Sequence, residues 1–355
     1  MTADLHTIQM TQGALFGQPQ GPPLSFGNEA TALTAVRTGV VLVDRSHWGL
    51  LEMAGADRLR FIHNQTTNAF IQRQPGEGCD TIFVTSTART LDLATVYLTA
   101  ESLWMVTSPG QDQRLLDWMD RYIFPADKVH LTNHTGSMAL FSLVGPDSHA
   151  LAQSLGSPLA ADAPAGQHQP LGDDGWRIAM GSGLGWPGYT LFGPTTTAAA
   201  VWQQCSQGGA IPAGEQLWEQ WRIQQGRPMP GAELTDDYNP LEAGLWHTLS
   251  FDKGCYIGQE TIARLNTYRG VKQQLWGLRL SQSAPVGVDL CLDGDKVGRL
   301  TSVVDTDQGI LGLGYVRTKA GGQGLTVTLG SATAQVVDVP FLSRGYLAAE
   351  TSASP

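Results

Sequence analysis

Beyond Val271 no helical period survives in the chain. Short β-rich runs at residues 275–280, 286–292, 297–304, 310–316, 325–329 and 334–339 alternate instead with glycine-containing turns. Residues 271–355 are therefore expected to form a small antiparallel barrel. At roughly 150 residues per domain, 355 residues suggest two or three compact units, so the barrel accounts for only one of them.

The preceding 270 residues mix helical and alternating periods. Asn28 can cap a helix carrying Ala30, Leu33 and Val36 that Gly39 would end, and strand-like runs follow at 40–43 and 48–53. A second short helix opens at Gly55 and Asp57, turns Leu59 and Ile62 inward and breaks at Gln65-Thr66-Thr67-Asn68, a polar loop suited to binding. Strands are expected at 81–85, 91–98, 103–106, 129–131 and 139–144, with a helical pattern at Leu115, Leu116, Met119 and Ile123. Residues 151–174 are rich in Ala, Pro, Gly and Ser and read as a surface excursion. Paired strands at 176–180 and 189–192 precede helices at 195–207 and 215–225, the second carrying Leu217, Trp218 and Trp221. The mixture is α+β.

Charge and cysteine usage narrow the function. Lys plus Arg total 22 against 32 Asp plus Glu, a formal charge of −10 that argues against direct nucleic-acid binding. Cys79, Cys205, Cys255 and Cys291 form no CxxC pair, which fits a reducing compartment. No Lys or Arg precedes Arg37, and no apolar run approaches the roughly 18 residues of a membrane span. A soluble cytoplasmic protein is expected.

Several familiar signatures fail on context. Gly183, Gly185 and Gly188 spell GxGxxG, but Pro187 and a strand follow rather than the helix that a dinucleotide site requires, so a glycine-rich hairpin is expected. His130 and His134 have a helical spacing inside an extended stretch. Neither a phosphate loop nor a GxSxG elbow is present. The strongest local signal is Lys253-Gly254-Cys255-Tyr256-Ile257-Gly258-Gln259-Glu260, leading into a helix through Ile262, Ala263 and Leu265. Unpaired N–H groups at a helix start and an adjacent ammonium both favour a thiolate at Cys255, while Gly254 and Gly258 permit close backbone approach or a tight turn. On spacing alone, a small buried cysteine beside a solvated lysine is the competing reading.

This octapeptide, preceded by Asn239-Pro240-Leu241-Glu242-Ala243-Gly244-Leu245, closely resembles the KGCYxGQE signature of the YgfZ-type folate-binding proteins, relatives of the glycine-cleavage T-protein. Residues 61–68 resemble that family's FLxNQxTND loop, and Arg222-Ile223-Gln224-Gln225-Gly226-Arg227-Pro228 its RxExGxP segment. The resemblance implies a GcvT-like three-lobed arrangement. Two intertwined α+β lobes, about residues 1–270, would surround a central opening for tetrahydrofolate or another folate, with the barrel as the third lobe. It implies that Asp92 handles folate-linked one-carbon chemistry, that Arg222 holds a carboxylate such as folate's glutamate tail, and that Glu242, Tyr189, Gln259, Gly254 and Tyr256 add cofactor contacts. Cys255, with Lys253 beside it, becomes the reactive thiol.

Two departures from the T-protein stand out. Trp186 and Pro187 occupy the place of a glutamate and an aspartate in its GYTGEDGYE segment, and Gln224 replaces the glutamate of RxExG. Both losses weaken an aminomethyltransferase reading, since an amide carries no charge and is no general base near neutral pH. The resemblance therefore favours a folate-dependent accessory protein for maturation or repair of iron–sulfur enzymes, tRNA-modifying ones among them. No stand-alone enzyme is then expected. Its partners would be iron–sulfur client or assembly proteins, and the chain a monomer or weak dimer. Clusters usually take four cysteine ligands, so Cys255 could ligate one only transiently and with a partner. The alternatives are an aminomethyltransferase-like one-carbon transferase and a non-catalytic folate-binding scaffold.

Overall fold

The helix foreseen after Asn28 runs Glu29–Thr38 and stops at Gly39, burying Ala32 and Val36. Asn28 begins it by an unexpected route: its side chain caps no helical N–H, and Nδ2 instead donates to the carbonyl of Pro212, 3.0 Å away. The chain, here a computed structural model describing residues 4–18 and 21–348, divides into two compact units. The first comprises the residues up to Phe61 with Phe70–Asp80 and Ala94–Glu219; the second comprises Ile62–Ala69, Thr81–Leu93 and the described residues from Gln220 onward.

In the first unit a six-stranded sheet has the order His168–Leu171, Trp176–Met180, Gly188–Pro194, Met138–Val144, Val41–Asp44, Ile211–Ala213. Only Ile211–Ala213 runs parallel to its neighbour. The helix Thr195–Gln207 packs Trp202 against Phe141 of this sheet, and Phe141 stacks on Trp176, so aromatic area dominates the core. A five-stranded sheet has the order Gly78–Val84, Thr90–Leu98, Ser102–Thr107, Gly49–Ala54, His130–Asn133, and the unit boundary falls inside its first two strands. The GxGxxG stretch forms the expected glycine-rich connection between Trp176–Met180 and Gly188–Pro194.

Residues 151–174 depart from expectation. Ser148–Ser154 is a helix with Leu151 and Ala152 buried, His168–Leu171 is a sheet strand, and Leu159 and Leu171 join the core. Small residues pack here, and a wholly buried histidine fills a place where an aliphatic residue would have announced a strand. His168 Nε2 lies 2.8 Å from the Leu98 carbonyl and Nδ1 lies 3.0 Å from Arg177 Nε, which assigns the neutral tautomer with Nε2–H donating and Nδ1 accepting. Burial first, then the Arg177 charge, pushes its pKa from 6.5 down to about 4. The unfolded chain therefore takes up this proton at a higher pH than the native one. The corresponding stability, about 3 kcal/mol, is complete above pH 6.5 and is lost as the pH falls through 4. Urea midpoints across this window should decline with pH in the native sequence and stay flatter in His168→Gln.

In the second unit Gln273–Leu280, Gly309–Arg317, Asp295–Thr306, Asp289–Leu292, Thr326–Leu329 and Ala332–Val337 follow one another around a closed barrel, every pair antiparallel. Inward residues such as Leu278, Leu290, Leu300, Val327 and Val336 fill it. The fold class is thus the expected one, mixed α+β sheets with a closed C-terminal antiparallel barrel. Residues 349–355 of the expected barrel segment lie outside the described residues. Between Leu300 and Ser302 the register shifts against Gly309–Arg317, leaving Thr301 as an extra residue.

Candidate functional site

The second unit gathers two distant motifs into one structure. The helix Arg58–Gln65 ends with free carbonyls, as every helix does, and the Lys253 ammonium meets this end. Lys253 Nζ donates to the carbonyls of His63, Thr66 (2.7 Å) and Asn68 (2.6 Å), three acceptors for its three N–H groups, and lies 4.6 Å from the Tyr256 ring centroid. Main-chain bonds continue the seam: Ser250 N–H donates to Thr67, and Ile257 N–H to Asn64. The polar loop and the octapeptide are therefore one piece of architecture.

This corrects two expectations. Lys253 is buried, and its ammonium ties down a loop end instead of acting as a catalytic or thiol-activating group. Cys255 does not begin a helix either. The helix is Gln259–Thr267 with Gly258 as its N-cap, so Cys255 precedes its first turn and the cap itself. Its thiol is exposed, which excludes the buried-cysteine reading.

The two glycines differ. Gly258 has φ +83°, and a Cβ there would sit 2.8 Å from the Thr85 carbonyl and 3.2 Å from Ala88 Cα, so the turn accepts glycine alone. At Gly254 a Cβ would meet nothing nearer than His63 Nε2 at 4.0 Å, leaving open space beside the cysteine. Gln259 opens the helix half-buried, and Tyr256, half-buried, packs against the apolar cluster that contains Leu241, Trp246 and Ile262, where burial raises its phenol pKa to about 12.

Asp92 is fully buried in the strand Thr90–Leu98, and its Oδ1 accepts the Leu93 N–H at 2.9 Å, so it is no solvent-facing strand carboxylate. Glu242 is also buried. Its Oε2 accepts the Asn239 N–H at 3.2 Å, and burial outweighs that bond to raise its pKa.

Arg222 is engaged otherwise than expected. Its Nη1 lies 3.1 Å from Glu233 Oε2 and its Nη2 donates to Ser302 Oγ at 3.0 Å, all of it buried. Glu233 is held on both oxygens, by Arg222 and the Met229 N–H on Oε2 and by the Thr301 (2.7 Å) and Ser302 (2.6 Å) hydroxyls on Oε1. Successive strand residues normally face opposite ways. The extra residue at Thr301 is what lets neighbours both reach one carboxylate. The guanidinium fork expected to receive a ligand carboxylate thus holds an internal one.

Tyr189 belongs to the first unit. It is buried in the strand Gly188–Pro194 with its hydroxyl 2.6 Å from His149 Nδ1, a core residue of that sheet.

Sequence reasoning missed Glu233 and His63, and it named Gln65 only as the start of a polar loop suited to binding. Gln65 is buried with Oε1 lacking any partner among the described residues, and burial plus the Lys253 charge lowers the His63 pKa. Among the described residues no group of His, Cys, Asp or Glu could hold a metal ion, and no helix is long and apolar enough to cross a membrane.

Comparison with known proteins adds to this geometry. A family model described as the GCVT N-terminal domain matches residues 5–253. Over 99% of its length the chain is 42% identical to an Arabidopsis thaliana protein provisionally named as a chloroplastic transferase, covering 82% of that protein. It is 26% identical to the aminomethyltransferase of Halalkalibacterium halodurans over 91% of this chain and 92% of that one. It is similarly 26% identical to that of Bacillus subtilis, over 79% and 80%. Among solved structures, aminomethyltransferase T of the Bartonella henselae glycine cleavage system superposes with a TM-score of 0.84 at 20% identity, covering 97% of this chain and 98% of that chain. At that identity the likeness establishes the fold.

Proposed function

Because the chain belongs to the GCVT N-terminal domain family, we propose that it is a folate-dependent, aminomethyltransferase-like one-carbon transfer protein in which Asp92 is the working carboxylate. The observation that carries this reading is the complete burial of Asp92 on a strand, with one oxygen fixed by the Leu93 N–H. A buried carboxylate is costly to maintain unless hydrogen-bonded groups face it, and its electrostatic effect is large where water is excluded.

Two further buried groups of the second unit suit a reduced pterin by their chemistry, since that ring presents N–H and amino donors. Gln65 Oε1 is a buried acceptor in need of a donor, Asp92 is a second acceptor, and Glu242, its pKa raised by burial, holds a proton more readily than an exposed glutamate. Asp92, Gln65 and Glu242 would hold the ring, with Gln259, Gly254 and Tyr256 bordering it. When bound, tetrahydrofolate supplies the nitrogens that carry a one-carbon unit. The chain's part is to orient the ring through Gln65, to exclude water around Asp92, and to hold or accept a proton at the second Asp92 oxygen. The glutamate tail falls to a group other than Arg222, whose fork is taken by Glu233. Trp186, Pro187 and Gln224 remove acidic groups found in the T-protein, so the reading predicts a substrate that needs fewer carboxylates.

A second reading is favoured by the exposed Cys255 thiol inside the octapeptide: a folate-dependent accessory role in maturing or repairing iron–sulfur enzymes, with Cys255 acting alongside a partner's ligands. Two substitutions divide the readings. Asp92→Asn should lower folate-dependent transfer at least about 100-fold while leaving tetrahydrofolate binding measurable by anaerobic calorimetry. Cys255→Ser should leave that transfer intact. Loss of client iron–sulfur enzyme activity in Cys255→Ser cells, with Asp92→Asn silent, would replace the first reading by the second. No heat with tetrahydrofolate at high concentration would remove both.

A further inference from the structure

The first unit contains a cleft of about 710 Å³ that the folate reading leaves unused. That volume is within the roughly 300–1,000 Å³ of small-molecule sites. Arg177, Trp104, Phe192, Glu52, Glu101 and Asp173 are among the residues that line it.

Arg177 is the informative member. Its Nε is anchored on His168 Nδ1 at 3.0 Å, and His168 is itself anchored on the Leu98 carbonyl. Among the described residues the guanidinium has no carboxylate within ion-pair distance. A half-buried cation oriented by its inner nitrogen leaves both terminal nitrogens for a ligand, and partial desolvation without a counter-charge makes an incoming carboxylate favourable. Three acidic residues on the same lining oppose a simple anion. Glu52 is partly answered by His134 at 3.1 Å, whereas Glu101 and Asp173 are exposed. Trp104 lies between His134 (5.0 Å) and Phe192 (6.0 Å), an aromatic wall that suits an alkylammonium.

We infer that this cleft binds a small zwitterion with surplus positive charge, a basic amino acid whose carboxylate pairs with Arg177 and whose ammonium groups face Glu101, Asp173 and the Trp104 ring. Calorimetry of the full-length protein with L-lysine, without folate, tests it. Saturable binding with a dissociation constant below about 1 mM is expected. Propionate and butylamine, each carrying half of the recognised charge pattern, should bind at least tenfold more weakly. Arg177→Ala should weaken lysine binding at least tenfold. Because Arg177→Ala also releases His168, the exposed Glu101→Gln gives a second readout that spares the fold, with a several-fold loss expected. Absence of saturable binding, or equal lysine affinity in wild type and both variants, overturns the assignment.

Discussion

Glu233→Ala should destabilise the protein by about 3–5 kcal/mol, the usual consequence of removing one partner from a buried ion pair. The residue is fully buried and its carboxylate meets Arg222, the Met229 N–H and the Thr301 and Ser302 hydroxyls. Alanine would leave a guanidinium and three further donors without that acceptor. The double variant Arg222→Met/Glu233→Leu removes both charges and should lose less than the sum of the single changes. Urea unfolding of wild type, Glu233→Ala, Arg222→Met, Glu233→Leu and the double variant gives the comparison. A loss under about 1 kcal/mol in Glu233→Ala would mean that the knot contributes little.

Lys253→Met is expected to cost on the order of 3 kcal/mol, because three buried carbonyls lose one donor at the same time. Its local signature should be sharper than its global one. The Ser250 and Ile257 amides, which bond to Thr67 and Asn64, should exchange with solvent at least tenfold faster, while amides of the barrel strands Gly309–Arg317 and Gln273–Leu280 keep their protection. Unchanged exchange at Ser250 and Ile257 would show that the seam holds without its lysine.

The barrel was readable because short β-rich runs alternate with glycine-containing turns; each expected run overlaps an observed strand. Boundaries elsewhere moved by up to three residues, since local patterns mark an element better than its ends. The stretch 151–174 was missed because Leu159, Leu171 and His168 pack among small residues that carry little hydrophobic signal. The candidate site was half legible. Cys255 and Asp92 could be singled out by motif, and Gly258 with Gly254 as glycines suited to close approach or a tight turn. The partner of Arg222 could not be found. Ala232-Glu233-Leu234 looks like any solvated glutamate, and only folding brings it to a strand about 70 residues away. Lys253 likewise looked like a charge near a thiol until the chain returned residues 185–190 positions earlier to its ammonium.

The supernumerary Thr301 makes this strand intolerant of length change in a way that composition does not reveal. Deleting that residue would restore a regular pleat with Ser302 still opposite Leu313, but it would remove the Thr301 hydroxyl and leave Glu233 Oε1 with the Ser302 hydroxyl alone. A shortened strand of unblemished geometry would then be the less stable molecule, and relatives that keep the acidic anchor at 233 should also keep the surplus residue opposite it.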